Sequence, residues 1–560
     1  MFSRLVPCAA PLVLALGMTA AASASSQVDI GTLGGGRDLG RAPASTLVRI
    51  AVVLRYRHDA ELDALVEAQG DPESSLYTHF LSPAQFRNYF SPTASDYGRV
   101  VTALQRGGFT IAKTFDNRTV VDAAAPAPIA AKFFGTDIHR VLTPDAGIRF
   151  TNVRAGTVPA QIDDVVLGVF GLDTVRRMHA AHEFLPRGAA RPVPPNLRKD
   201  TPPLFGPDGG YGPQIFINSY DLPSGSGTTG TGRFTGMVGD ADFLESDLTG
   251  YLAYFGVTRT GPATTRVLVD GGPPQGDGAP DSVEATLDAE TLVSLAPGTS
   301  LYSYEAPPSS TLMYFVDMYN QIVSDNKVDT VNTSYSECET AFIPTFPKAA
   351  DAVEKQGSAL GITFHSATGD YGIDTYGCNF QSVGTPADTP HNIAVGGTRM
   401  AVNEQTGFET SEVGWNDPGC CATGGGVSVV FKLPHYQKKV QNIITSGRNI
   451  PDLAFDASPY TGESFYYAGQ FQGPIGGTSL ASPIFGASLT EIDQLKNKRA
   501  GSFNGRLYRT WLANGYSKGS TLYFRDIVSG SIPPYEAMPG YDQMSGIGAM
   551  LVGNFAGVLR

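Results

Sequence analysis

The chain has 560 residues, a formal net charge of −13 and only 17% charged side chains. That balance excludes the basic face a nucleic-acid binder needs, and the length is enough for two or more domains. Sparse lysine and an acidic balance are compatible with work in acid but do not establish it, because many secreted proteins active at neutral pH share them.

Residues 1–24 read as a signal peptide: Arg4 supplies the positive start, Leu12 to Ala22 is mostly apolar, and Ala22-Ser23-Ala24 has the small-x-small form of a cleavage site. The apolar run is too short and too Ala-rich to span a membrane, and no later stretch is a candidate span. The mature chain is therefore expected to be soluble and secreted, extracellular or periplasmic before release. Cys8 has almost no apolar segment before it, which argues against a lipoprotein.

Residues 25–185 precede the linker, and within them Leu47 to His179 reads as a compact α+β unit. Val48–Leu54 is a predicted strand and Asp59–Gln69 a helix with apolar residues at helical spacing. Ser95–Arg106 follows as a helix with Ser95 as N-cap, then Phe109–Ile111 and Thr119–Ala123 as strands. Between 186 and 207, seven prolines are interspersed with Arg187, Arg191, Arg198 and Lys199, the composition of a linker that holds no regular structure and exposes a processing site. From 208 to 560, strands such as Phe234–Gly239 and Gly361–Ala367 alternate with helices such as Ser310–Ser324 and Pro347–Gln356. That alternation predicts an α/β domain with a largely parallel sheet. Gly34-Gly35-Gly36 and Gly424-Gly425-Gly426 lack the context of a phosphate loop and read as turns.

Once Cys8 leaves with the signal, Cys338, Cys378, Cys420 and Cys421 remain. An exported chain permits disulfides, and Cys338–Cys378 is the preferred pair, although four cysteines allow three connectivities. No histidine stands at ligand spacing from Cys420 and Cys421, which disfavours zinc.

Gly476-Gly477-Thr478-Ser479-Leu480-Ala481-Ser482-Pro483 is the most informative stretch. Two glycines let the backbone bend and come close to a substrate, and a serine at a loop-to-helix junction is exposed near the positive end of the helix dipole. Locally, a second reading stands beside the nucleophile: a loop that merely caps a helix, with Ser479 or Thr478 as N-cap. A nucleophilic serine needs a base, and after the linker only His365, His391 and His435 are available. His365 lies in a predicted buried strand, so a Ser-His-Asp arrangement is poorly supported. The carboxylate alternative is Asp281–Leu295, a predicted helix closed by Pro297, on which Glu284 and Asp288 are four apart and share a face. Such a pair is either a solvated acidic face or two groups sharing a proton. A third carboxylate, Asp370 in Ala367-Thr368-Gly369-Asp370, follows a strand directly, where an open α/β sheet places its site residues.

In this order and at these separations, the motifs resemble the sedolisin family, the serine-carboxyl peptidases. Gly477-Thr478-Ser479 with Pro483 resembles the nucleophile motif, and Glu284-x-x-x-Asp288 followed by Leu295-Ala296-Pro297 the acidic helix. Ala367-Thr368-Gly369-Asp370 resembles the oxyanion strand end. Gly424-Gly425-Gly426-Val427-Ser428, Pro434-x-Tyr436-Gln437 and Arg448-Asn449-Ile450-Pro451-Asp452 resemble connecting motifs. Ser75-Leu76-Tyr77 and Phe80-Leu81-Ser82-Pro83 resemble an activation propeptide of the kumamolisin type. The likeness covers nearly everything after the signal peptide.

The resemblance implies a subtilisin-like α/β catalytic domain with a mostly parallel central sheet, preceded by an α+β (ferredoxin-like) propeptide. It implies Ser479 as nucleophile, Glu284 as general base and acid, Asp288 orienting Glu284, and Asp370 as oxyanion donor. It further implies one structural Ca²⁺, held by the Asp526 and Asp542 carboxylates and the Ile527, Met538 and Gly540 carbonyls. Met538 stands where glycine is common, Ser545 replaces a usual threonine, and Ser336 falls where many relatives carry glycine on a substrate-binding strand. The expectation is a monomeric, acid-active endopeptidase made as a zymogen. Its partners would be protein or peptide substrates and its own propeptide, an intramolecular inhibitor and folding aid. The alternatives are a catalytically degenerate secreted binding protein, a histidine-dependent subtilisin-type protease and a tripeptidyl-peptidase.

Overall fold

The structure, a computed structural model, describes residues 27–145, 147–186, 202–276, 282–309, 311–339, 344–373 and 382–560. The signal peptide expected at 1–24, residues 187–201 of the expected linker, and Cys378 lie outside the described residues.

An N-terminal unit is built from β1 (Leu47–Leu54), α1 (Asp59–Gln69), α2 (Ala94–Arg106), β2 (Thr110–Thr114), β3 (Val120–Pro126), α3 (Ala127–Phe134) and β4 (Val166–Phe170). The sheet order is β2-β3-β1-β4 with every neighbouring pair antiparallel, which with its two helical crossovers is the split βαβ arrangement of ferredoxin-like folds. The N-cap of α2 is Thr93, not Ser95: its Oγ1 accepts from the Asp96 amide at 3.0 Å.

β1 explains how this unit is held. It reads as a near-continuous apolar run because both of its faces are covered. Val48, Ile50, Val52 and Leu54 point into the unit's own core. The alternate residues Ala51 and Val53 join a second core with Phe315 and Phe346, which belong to the C-terminal unit.

Residues from 205 onward fold as a second unit around an eight-stranded sheet. Two short strands precede it in the chain, β5 (His179–Ala180) and β6 (Glu183–Phe184). The sheet and the elements around the site are β7 (Phe234–Gly239), β8 (Thr265–Leu268), α4 (Ser282–Leu295), β9 (Ser300–Glu305), α5 (Leu312–Asp325), β10 (Thr330–Thr333), β11 (Tyr335–Cys338), α6 (Thr345–Leu360), β12 (Thr363–Ala367), β13 (Asn392–Val402), β14 (Glu409–Gly414), β15 (Leu453–Asp456), β16 (Gln470–Gly476) and α7 (Thr478–Lys496). The order is β8-β9-β7-β10-β12-β13-β14, with β15 also paired to β13. Every neighbouring pair is parallel except β13-β14. Outside this sheet, β5 pairs with β11 and β6 pairs with β16.

Helix α7 is buried over nearly its whole length and packs on α4 and on the sheet. Its small residues are required by the closeness of that packing: a Cβ on Gly486 would stand 2.8 Å from the His365 ring on β12.

Candidate active site

The chain reaches Ser479 through Gly477, whose φ of 109° suits glycine alone. A Cβ there would stand 2.2 Å from the Ala181 carbonyl oxygen, 2.6 Å from Asp370 Oδ2 and 2.7 Å from His182 Cα. Gly477 is itself the N-cap of α7, and no side chain caps the helix. Neither Ser479 nor Thr478 is the cap, and both hydroxyls are turned to other work. Thr478 donates to Asp370 Oδ1 from its amide and its hydroxyl, each at 2.8 Å, and its Oγ1 accepts from the Gly369 amide at 3.0 Å. Ser479 Oγ donates to the Ser334 carbonyl at 3.1 Å.

Glu284 and Asp288 do not form a solvated acidic face: they are 0% and 1% exposed, on a helix buried almost all round. Asp288 Oδ1 accepts from Ser334 Oγ at 2.6 Å, and Ser334 Oγ accepts from Asn332 Nδ2 at 2.9 Å. Asn332 Oδ1 accepts in turn from Ser482 Oγ at 2.7 Å. Burial, and next the charge of Glu284, push the Asp288 carboxyl well above the usual range. Two buried carboxyls one helical turn apart hold a proton more readily than two charges. Asp370, 1% exposed, is also pushed well above the usual range, first by burial and against the hydrogen bonds from Thr478. Its Oδ2 has no hydrogen-bond partner among the described residues, and it lines the same gap beside Gly477 as the Ala181 carbonyl oxygen, the two lying 2.6 and 2.2 Å from where a Gly477 Cβ would stand.

The three histidines after the linker are engaged elsewhere. His365 Nδ1 bonds Ser482 Oγ at 3.0 Å, and burial pulls its pKa down to about 3. His391 pairs with Asp351 at 2.7 Å and His435 with Glu67 at 3.1 Å. The histidine that does reach the site comes from before the linker: His182 Nδ1 lies 2.6 Å from Glu284 Oε2.

His182 arrives on an extended segment that runs through the cleft. β5 pairs antiparallel with β11, placing His179 opposite Ser336 and Ala180 opposite Tyr335. The Ala181 amide donates to the Ser334 carbonyl at 3.0 Å, and the Ser479 amide donates to the Ala181 carbonyl at 2.8 Å. Beyond it β6 pairs antiparallel with β16, and the Leu185 amide donates to the Pro474 carbonyl at 3.1 Å. An added strand bound through its backbone on both sides of a serine is how an extended peptide is held for recognition.

Sequence reasoning singled out Ser479, Glu284, Asp288 and Asp370, and the fold gathers all four. It missed Ser334, Asn332 and the 179–185 strand, because a lone Ser or Asn at a strand end and a short His-Ala-Ala-His run carry no local signal. Cys420 and Cys421 are bonded to each other, with sulfurs 2.02 Å apart. Asp526 follows a two-residue strand, Phe524–Arg525, and the 538–546 loop folds back onto it. The Gly540 amide donates to both Asp526 oxygens at 3.2 and 3.1 Å, and the Met538 amide to Asp542 Oδ2 at 3.0 Å. Burial raises both carboxyls. Two carboxylates in an oxygen-rich loop pair fit a hard cation.

A parallel α/β sheet with a helix-start serine, buried carboxylates on a neighbouring helix and after a strand end, and a strand from an N-terminal unit across them defines a subtilase-type serine peptidase with an activation domain. Residues 35–175 match the family of the pro-kumamolisin activation domain, and residues 275–525 match the subtilase family. Sedolisin of Pseudomonas sp. (strain 101) is 29% identical over 543 residues, covering 92% of this chain and 88% of its own. Kumamolisin of Bacillus sp. (strain MN-32) is 29% identical over 532 residues, covering 91% of each. The solved structure of Pseudomonas sedolisin, a serine-carboxyl proteinase complexed with two molecules of pseudo-iodotyrostatin, aligns with a TM-score of 0.56 at 28% identity. It covers 63% of this chain and 99% of that one. The chain belongs to the sedolisin family: it is a serine-carboxyl peptidase made as a zymogen with an activation propeptide.

Proposed function

We propose that this peptidase is exported through a signal at 1–24, carries its propeptide over 25–185 and its catalytic domain over 208–560, and cleaves internal peptide bonds in acid. Ser479 is the nucleophile, Glu284 takes its proton and returns it to the leaving amine, Asp288 orients Glu284, and Asp370 donates to the oxyanion. The observation that carries this reading is the hydrogen bond from the Ser479 amide to the Ala181 carbonyl, with Asp370 Oδ2 lining the same gap beside Gly477. The extended strand continues on both sides of that carbonyl, which supports an endopeptidase cleft over one closed after three residues.

The acid preference follows from the groups. A glutamate, with a reference pKa near ~4.3, still accepts a proton where a histidine is locked as imidazolium. Asp370 donates a hydrogen bond only while protonated, and burial pushes its carboxyl towards that form. Asp526 and Asp542, with the carbonyls of Ile527, Met538 and Gly540, would hold one Ca²⁺ that ties two loops together, a structural role. Cys338–Cys378 remains the preferred second disulfide, and the enzyme is read as a monomer. In an assay of peptide hydrolysis from acid to mildly basic pH, activity peaks in acid, and Ser479→Ala and Glu284→Gln abolish it. Activity retained in Ser479→Ala, or an optimum at neutral pH, refutes the reading.

A further inference from the structure

The 179–185 segment does more than fill the cleft, because its register singles out one peptide bond. We propose that the Ala181–His182 bond is the first that this peptidase cuts in maturing, and that Tyr371 is the specificity residue for an acidic side chain two positions beyond the cut. The proposal rests on Ser479 as nucleophile. It moves the first cut out of the Pro-rich stretch between 186 and 207 and into the strand that crosses the cleft.

Backbone pairing fixes the register on both sides. His179 and Ala180 are held by β11, and Glu183 and Phe184 by β16, so the segment cannot slide by one residue without breaking both ladders. Between them, the Ala181 carbonyl is the one that accepts from the Ser479 amide, at 2.8 Å. The next residue, His182, is placed with its ring on Glu284, the group that must protonate the departing amine. In the cut, Ser479 Oγ bonds to the Ala181 carbonyl carbon while its proton passes to Glu284, and the oxyanion accepts from the Ser479 amide and Asp370. The C–N bond to His182 then breaks, Glu284 gives its proton to the His182 nitrogen, and water hydrolyses the Ala181 ester to free the serine.

Glu183 sits two positions beyond that bond, and Tyr371 donates its hydroxyl to Glu183 Oε1 at 2.8 Å. Tyr371 directly follows Asp370, and its backbone is bridged to Ala422, whose amide donates to the Asp370 carbonyl at 2.8 Å. The bonded Cys420–Cys421 pair forms the adjoining wall: its sulfurs and a Glu183 carboxylate oxygen lie within 4.8 Å of one another. A phenol fixed by the oxyanion strand thus reads a carboxyl at that one position, and a methyl side chain there would forfeit the hydrogen bond.

The experiment follows acidified full-length zymogen by intact mass and N-terminal sequencing at the earliest times. The first large fragment is expected to begin at His182. A first cut elsewhere, including one between 186 and 207, overturns the bond assignment while leaving Ser479 in place if Ser479→Ala stops all cutting; cutting that survives in Ser479→Ala overturns the catalytic reading instead. For Tyr371, the acid-processed enzyme is given the synthetic peptide of residues 178–185 and its Glu183→Ala counterpart. Tyr371→Phe is expected to lower the ratio of kcat/KM for the Glu peptide over the Ala peptide about tenfold. An unchanged ratio overturns the specificity role.

Discussion

Removing the carboxyl of Asp370 tests the centre of the site, because two separable losses can be worked from its contacts. On the proposed reading, Asp370→Ala deletes one of two oxyanion donors and leaves the Ser479 amide as the other. Losing a single such donor costs about 10²–10³ in the rate of acylation, or ~2.7–4 kcal/mol of transition-state stabilisation. The same substitution strips the acceptor from the Thr478 amide and hydroxyl, both bonded to Oδ1 at 2.8 Å in a fully buried setting. Leaving such a group unpaired costs roughly 1–3 kcal/mol of folding stability. The assay is the rate of self-processing of dilute zymogen after acidification, read beside thermal unfolding of the same sample. Asp370→Asn keeps an oxygen for Thr478, so it retains the unfolding temperature that the alanine variant loses. Self-processing of Asp370→Ala within about tenfold of wild type, in a folded sample, would remove Asp370 from the oxyanion role.

Stability should fall as pH rises. Burial pushes the carboxyls of Glu337 and Glu354 up to about 8 and that of Glu463 up to about 7, so above their ordinary value of 4.5 the unfolded chain releases protons that the folded chain keeps. That stabilisation is complete below about pH 4.5 and is lost as pH climbs towards 8; an unfolding temperature that rises between these limits contradicts it. At the C-terminal loops, a calcium chelator should lower the unfolding temperature of the wild type by several degrees and leave Asp526→Ala unmoved, as reported by calorimetry; equal shifts in both would dismiss Asp526 as a ligand.

The legible parts of the chain were those in which one local rule dominates. Phe234–Gly239 is the strand its residues predict, and Asp59–Gln69 is the helix its spacing predicts. Boundaries drifted where a neighbour decides them: the helix predicted over 347–356 runs from Thr345 to Leu360, because docking of the N-terminal unit covers its outer face as well. The polar residues of α4 show the same limit. Its apolar positions gave the helix, but the burial of Glu284 and Asp288 follows from α7 crossing behind it, a contact between residues nearly two hundred positions apart. His182 was beyond reach for a related reason. It lies in the segment before the linker, 102 residues from Glu284 in the chain, and only the fold carries that imidazole to the carboxyl.

That placement bears on how acid acts on the zymogen. Where the two units meet, Asp122 of β3 faces Asp270 and Asp317, with carboxylate oxygens within 4.8 Å of one another. Arg49 lies 3.7 Å from Asp270, on the rim of the cluster. Burial, then the charge of Asp270, raises Asp122 to about 7, and burial, then the charges of Asp122 and Asp270, pushes Asp317 well above the usual carboxylate range. Two charges about 4 Å apart repel by roughly 4 kcal/mol at an effective dielectric of 20, and protonation removes that repulsion. Acid therefore favours docking at this cluster. It opposes docking at Lys355 with Asp59 and Asp63, and at His435 with Glu67, where the carboxylates are more than half exposed. Exposed pairs of that kind are worth about 0–1 kcal/mol each, so the buried cluster outweighs them. Charge repulsion at the interface would thus not free the enzyme in acid. The proposed cut in the strand that crosses the cleft would act differently: it would end the covalent tether, and with it the high effective concentration that keeps 179–185 seated over Ser479.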